Sequence, residues 1–118
     1  MKREKVIYRI ENSRKSGPYR FKYVSQWRRR NHNGPDHPNL YEDFSSSVAK
    51  EFFKGHWRCG FNSKKQLLNW FNKRELNTLI ELGFKVVKIM PKALIKGKKQ
   101  VIFKGRTKTQ EVSLRDLW

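Results

Sequence analysis

The sequence predicts an α+β fold: a small single domain with a mostly antiparallel sheet and two to four short helices packed on it. Three observations carry this. Short runs of β-branched and aromatic residues lie near both ends of the chain, at 6–10, 84–90 and 100–104. Helix-start signals followed by apolar residues at three-to-four spacing cluster between 45 and 83. Strands and helices therefore segregate along the chain instead of alternating, which favours α+β over a parallel α/β sheet.

Residues 6–10, Val-Ile-Tyr-Arg-Ile, read as the first strand. Residues 12–18 combine Asn, Ser, Gly and Pro, the chemistry of a turn. From Tyr19 to Val24, aromatics alternate with Arg20 and Lys22, as in a strand with one basic face. Residues 25–30 read as a short helix carrying Trp27, and 31–38, with Gly, two Pro and two His, as a loop.

Ser45, Ser46 and Ser47 are N-cap candidates. Val48, Ala49, Phe52 and Phe53 follow at helical spacing, and Gly55 can close that helix. Residues 57–61 read as a short strand. Ser63 with Gln66, and Asn72 with Glu75, match the capping-box spacing, which predicts two successive helices ending at Gly83. Two further strands, at 84–90 and 100–104, are punctuated by Pro91 and Gly97. The tail to Trp118 is open between helix, strand edge and basic arm. The domain spans 1–118, with 1–5 and about 107–118 as candidates for mobile ends.

Sixteen aromatic residues (eight Phe, four Trp, four Tyr) supply large apolar area despite a low mean hydropathy, and they argue against a disordered chain. One cysteine excludes an intrachain disulfide and fits a reducing cytoplasm. The basic N-terminal residues have no apolar h-region behind them, so a signal peptide is not expected, and no apolar run approaches membrane-spanning length.

Charge says most about function. The chain carries net charge +18, concentrated at its ends. Residues 1–30 hold eleven Lys/Arg against two acids, and residues 84–118 hold ten against two. Charge this dense opposes compaction, and the usual gain is a polyanionic partner. The expected phosphate contacts are Arg20, Lys22, Arg28, Arg29, Arg30, Lys96, Lys98, Lys99, Lys104, Arg106 and Lys108, with Trp27 to stack on a base. Lys85 and Lys88 fall out of phase on their strand, so they do not form one platform. The Lys96–Lys99 turn projects better toward phosphate. No helix-turn-helix or zinc-finger pattern is present, so weak sequence selectivity is expected. The nucleic acid type is open between DNA and RNA and between single and double strand.

Motifs for other chemistry are sparse. His56 and Cys59 have a usable ligand spacing, but structural zinc needs paired half-sites, and no metal is expected. Asn31-His32-Asn33 is contiguous and is no nuclease signature. Cys59, near Arg58 and His56, reads as a small buried filler rather than a nucleophile. No nucleophile elbow and no phosphate-binding P-loop occurs.

Two resemblances accompany these readings. Ile7-Tyr8-Arg9, the step from Gly60 to Ser63 into a helix, and Lys99-Gln100-Val101-Ile102-Phe103 together resemble the ADP-ribosyltransferase fold. The resemblance implies an NAD-binding enzyme with Arg9 and Ser63 in the nucleotide pocket. At its third segment stands Gln100, where that family needs a carboxylate, so transfer chemistry is lost or altered. Tyr8-Arg9-Ile10-Glu11, Gly17-Pro18-Tyr19, His37-Pro38 with Glu42-Asp43, and the 60–71 segment resemble small phage and prophage proteins. That likeness implies a phage-encoded accessory protein acting in the host cytoplasm. The leading expectation is nucleic-acid or nucleoprotein binding without a cofactor. The alternatives are an ADP-ribosyltransferase-like domain using NAD and a host-takeover inhibitor docking on an acidic protein.

Overall fold

The computed structural model describes residues 5–18 and 44–117. The expected strand at 19–24, the helix at 25–30 and the loop at 31–38 lie outside the described residues. The elements are β1 (Ile7–Glu11), α1 (Ser46–Phe53), β2 (Arg58–Gly60), α2 (Lys64–Trp70), α3 (Lys73–Glu81), β3 (Lys85–Lys96) and β4 (Val101–Val112), followed by a 3-10 turn at Leu114–Asp116.

The helices start where side chains can satisfy their free N–H groups. Ser45 Oγ accepts from Val48 N, and Ser63 Oγ accepts from Gln66 N at 3.1 Å. The reciprocal half of the second pattern shifts by one residue: Gln66 Oε1 accepts from Asn62 N. Asn72 and Glu75 form a complete capping box, with bonds of 3.0 and 2.9 Å. Gly83, at φ 96°, ends α3 in the left-handed region.

The sheet is antiparallel, in the order β1-β3-β4-β2. Strands β3 and β4 are each 12 residues long. The expected strands therefore extend well past their predicted ends. Pro91 does not stop β3, because the register shifts between Met90 and Pro91 and the strand bends there. The ambiguous tail continues β4 to Val112, and Leu117 then buries its side chain in the core.

The bend brings the two edge strands together. Tyr8 N donates to Phe61 O and Phe61 N donates to Tyr8 O, both at 2.7 Å, just beyond β2. The sheet thus curls round on itself. Gly60 sits at this junction, where a Cβ would stand 2.9 Å from Ile7 Cδ1 and 3.1 Å from Tyr8 O. Only glycine lets the strands approach so closely.

Paired residues share a face, so the register sorts the core. Ile7, Val87, Ile89, Val101 and Phe103 form the inner cluster of the curled sheet. Outside, α2 and α3 pack Leu67, Trp70, Phe71, Leu76 and Leu79 on Ile10, Phe61, Phe84 and Val86. Helix α1 packs Ala49 and Phe52 against Ile102, Ile95 and Cys59. No helix among the described residues is long and apolar enough to cross a membrane.

Candidate anion-binding site at the mouth of the sheet

The inner face changes character along β1. Ile7, Arg9 and Glu11 alternate onto that face; Ile7 is fully buried, and Arg9 and Glu11 are 7% and 3% exposed. Burying two charges costs free energy unless each finds partners. Here each does. Arg9 Nε donates to Glu11 Oε1 at 3.1 Å. Arg106, delivered by β4, donates from Nη1 to Glu11 Oε2 at 3.1 Å and from Nη2 to Oε1 at 3.2 Å. One carboxylate thus holds two guanidinium groups.

Phe103 forms the floor. The guanidinium carbons of Arg9 and Arg106 lie 5.9 and 5.7 Å from its ring centroid, within cation–π range. Arg9 further donates from Nη1 to the Cys59 carbonyl of β2 and from Nη2 to the Lys15 carbonyl. It ties β1 to β2 and to the turn beyond β1. Burial pulls its guanidinium below the ordinary arginine value, and the adjacent Glu11 charge opposes that pull.

The turn is itself built. Asn12 Oδ1 accepts from Arg14 N at 2.9 Å and Ser16 N at 3.0 Å, while Lys15 takes φ 63°. It carries Arg14 and Lys15 to the rim of a cleft of about 330 Å³. Arg9, Arg58 and Arg106 complete the basic lining, beside His56 and Phe103, and among the described residues no carboxylate lines it. The stem of Lys92 lies against Gly105 at the same rim.

A second, smaller cavity of about 100 Å³ shares Arg9 and Arg58 with the cleft. Its walls are aromatic: Phe52, Trp57, Phe61, Trp70 and Phe71. Phe61 meets Trp70 and Phe71 edge-on, with centroids 5.4 and 6.0 Å apart.

The expected site residues divide. Arg20, Lys22, Trp27, Arg28, Arg29 and Arg30 lie outside the described residues. Lys96, Lys98, Lys99, Lys104 and Lys108 are exposed, the first three around the β3–β4 turn, which Gly97 N closes by donating to Gln100 O at 2.8 Å. Arg106 is held by Glu11 rather than presented freely. Arg9 and Gln100 both border the small cavity, but Ser63 caps α2 and lines neither cavity, so the three are not gathered into one nucleotide pocket. Cys59, expected to be buried, is half-buried.

Sequence reasoning missed Arg14, Lys15 and Arg58 as a group, and the role of Glu11. A signal was present: alternation on β1 puts Glu11 and Arg9 on the face of buried Ile7, and a buried ion pair needs a setting.

No curated protein and no solved structure matches the chain, and the likeness to ADP-ribosyltransferases finds no support. A family model described as Bacteriophage T4 Y00F protein matches residues 1–117. The chain, with its curled sheet and basic mouth, therefore belongs to this bacteriophage protein family.

Proposed function

We propose that this phage protein is an accessory factor that binds nucleic acid through the phosphate backbone at the mouth of the curled sheet. The observation that carries the reading is the cleft itself. Five arginine and lysine side chains, from β1, its following turn, β2 and β4, converge on one cavity with no carboxylate among the described residues of its lining. Glu11 lies beneath and orients two of them. Guanidinium groups fixed in this way lose little freedom on meeting a phosphate, whose oxygens match their planar fork. The exposed lysines of β3, β4 and their turn extend the positive field around the cleft. Backbone binding of this kind is weakly selective for sequence.

The test is fluorescence anisotropy with labelled single- and double-stranded DNA and RNA, titrated across salt, with NAD as competitor. The reading expects affinity falling with salt at a log–log slope of roughly 0.7–0.9 per phosphate contacted. It expects Arg14→Ala with Arg58→Ala to reduce that slope. Binding unaffected by this double variant would remove the cleft from the footprint. Displacement by NAD at low salt sensitivity would favour the nucleotide-pocket alternative.

A further inference from the structure

The basic cleft holds donors that the fold leaves unused, and they are set round a pocket instead of along a groove. A guanidinium carries five N–H groups. Arg9 uses three, on Glu11, the Cys59 carbonyl and the Lys15 carbonyl. Arg106 meets both oxygens of Glu11 with Nη1 and Nη2, and its Nη1 also reaches Thr109 Oγ1 at 3.5 Å. The Nε–H of Arg106 and the second N–H of Nη2 have no partner among the described residues. These two share the other edge of the guanidinium plane. They form a second fork on an arginine that the first fork already fixes.

Around this fork the lining closes. Arg14 and Lys15 stand on the turn after β1, His56 precedes β2, Arg58 begins it, and Phe103 lies beneath. Five cations against the single carboxylate of Glu11 leave the site four charges positive. The space of about 330 Å³ is at the lower end for pockets that enclose one small ligand, roughly 300–1,000 Å³.

Two kinds of phosphate differ in how they meet such a lining. A backbone phosphodiester carries one negative charge, presents two free oxygens and must leave the site on both sides. A terminal phosphate carries roughly 1.5 to 2 negative charges at neutral pH, presents three free oxygens and leaves by one side only. A small pocket with donors on its floor and walls, and with positive charge in excess, matches the second.

Resting on the phosphate-binding reading above, we infer that the cleft is a receptor for a terminal phosphate, the phosphomonoester at the end of a nucleic-acid strand. The Nε/Nη2 edge of Arg106 takes two of its oxygens, and Arg14, Lys15 and Arg58 neutralise it from the rim. A free mononucleotide offers the same chemistry, so the strand and the mononucleotide are separate arms of the test.

The test is fluorescence anisotropy with internally labelled strands of one sequence, ending in a 5′-phosphate, in a 3′-phosphate or in hydroxyls only. The hydroxyl-ended control is two nucleotides longer, so that total charge does not decide the result. One of the phosphorylated ends is expected to bind about tenfold more tightly than this control, the effect of one further charge-assisted hydrogen bond. Arg14→Ala with Arg58→Ala is expected to erase that advantage. Lys96→Ala with Lys98→Ala is expected to weaken all strands alike and preserve it. Displacement by adenosine 5′-monophosphate only at millimolar concentration supports the strand end as ligand, and displacement at micromolar concentration supports the terminal phosphate of a free nucleotide. Phosphorylated strands no tighter than the charge-matched control overturn the terminal-phosphate assignment and leave backbone binding standing. Mononucleotide binding with no strand bound above low salt overturns the backbone reading and leaves the cleft assignment standing. Absence of both overturns both. Circular dichroism checks the fold of each variant, and Arg106→Lys, which keeps the charge and loses the fork, is a second cleft variant expected to lose the advantage.

Discussion

Two groups of cations in this molecule carry the same charge in different physical states. At the mouth of the sheet, Arg9 and Arg106 are fixed by Glu11, laid on Phe103 and largely removed from water. Around the β3–β4 turn, Lys96, Lys98 and Lys99 are exposed to solvent. An exposed ammonium gains little from an anion because water and salt screen it and its rotamers must be fixed. A guanidinium already fixed and partly dehydrated has met those costs during folding. The comparison teaches that charge count alone does not locate a binding site. The supporting carboxylate shows which cations the fold holds in place.

The largest effect that would break the comparison is loss of Glu11. Glu11→Ala leaves the buried Arg9 guanidinium and the half-buried Arg106 guanidinium without their counter-charge. A loss of about 3–5 kcal/mol in urea denaturation is expected, enough to threaten folding. An unchanged midpoint would show that the two arginines are not held as described. Replacing all three members by apolar residues of similar size (Arg9→Met, Glu11→Leu, Arg106→Met) is expected to cost far less stability while removing cleft affinity. This variant separates holding the fold from holding the ligand.

Next comes the closure that shapes the mouth. Gly60→Ala pushes a methyl group against Ile7 Cδ1 and the Tyr8 carbonyl. The expected loss is about 1–3 kcal/mol, read as a lower melting temperature, together with faster amide exchange at Tyr8 and Phe61. Protection at those two amides equal to the wild type would argue against a tight junction.

A direct contrast of the two cation groups follows. Removing two cleft cations (Arg14→Ala, Arg58→Ala) is expected to lower oligonucleotide affinity more than removing two from the turn (Lys96→Ala, Lys98→Ala). Both pairs should change the salt slope by similar amounts. Equal losses of affinity would reduce the cleft to generic charge.

The smallest effect belongs to the solvent-facing pair on α1. Lys54 Nζ lies 3.1 Å from Glu51 Oε2 and holds the Glu51 carboxyl below its ordinary value through a hydrogen bond and its charge. A carboxyl depressed in the folded state contributes stability above its unfolded value and loses that contribution as pH falls through the folded one. The pair is exposed, so Lys54→Ala is expected to leave the acid-unfolding midpoint unchanged within error.

Much of this architecture was legible before the tertiary structure. Ser45, Ser63, Asn72 and Gly83 mark helix ends through bonds made within a few residues, and such local chemistry is written in short motifs. The candidate site was less legible. Arg9 and Glu11 are two residues apart, but Arg106 reaches them from 95 residues away. Arg58 and the Asn12 turn arrive from other elements, and no spacing in one sequence encodes that convergence.

By itself, the sequence determined the fold class, the helix starts, the basic ends and the absence of a common catalytic motif. These depend on local propensity and on composition, which every residue carries with it. Only the tertiary structure decided that β3 runs through Pro91 on a bulge, that the sheet curls until Tyr8 meets Phe61, and that Glu11 gathers two arginines over Phe103. Those outcomes follow from which distant strands pair and in what register. That is set by the burial of the whole core, not by any one segment.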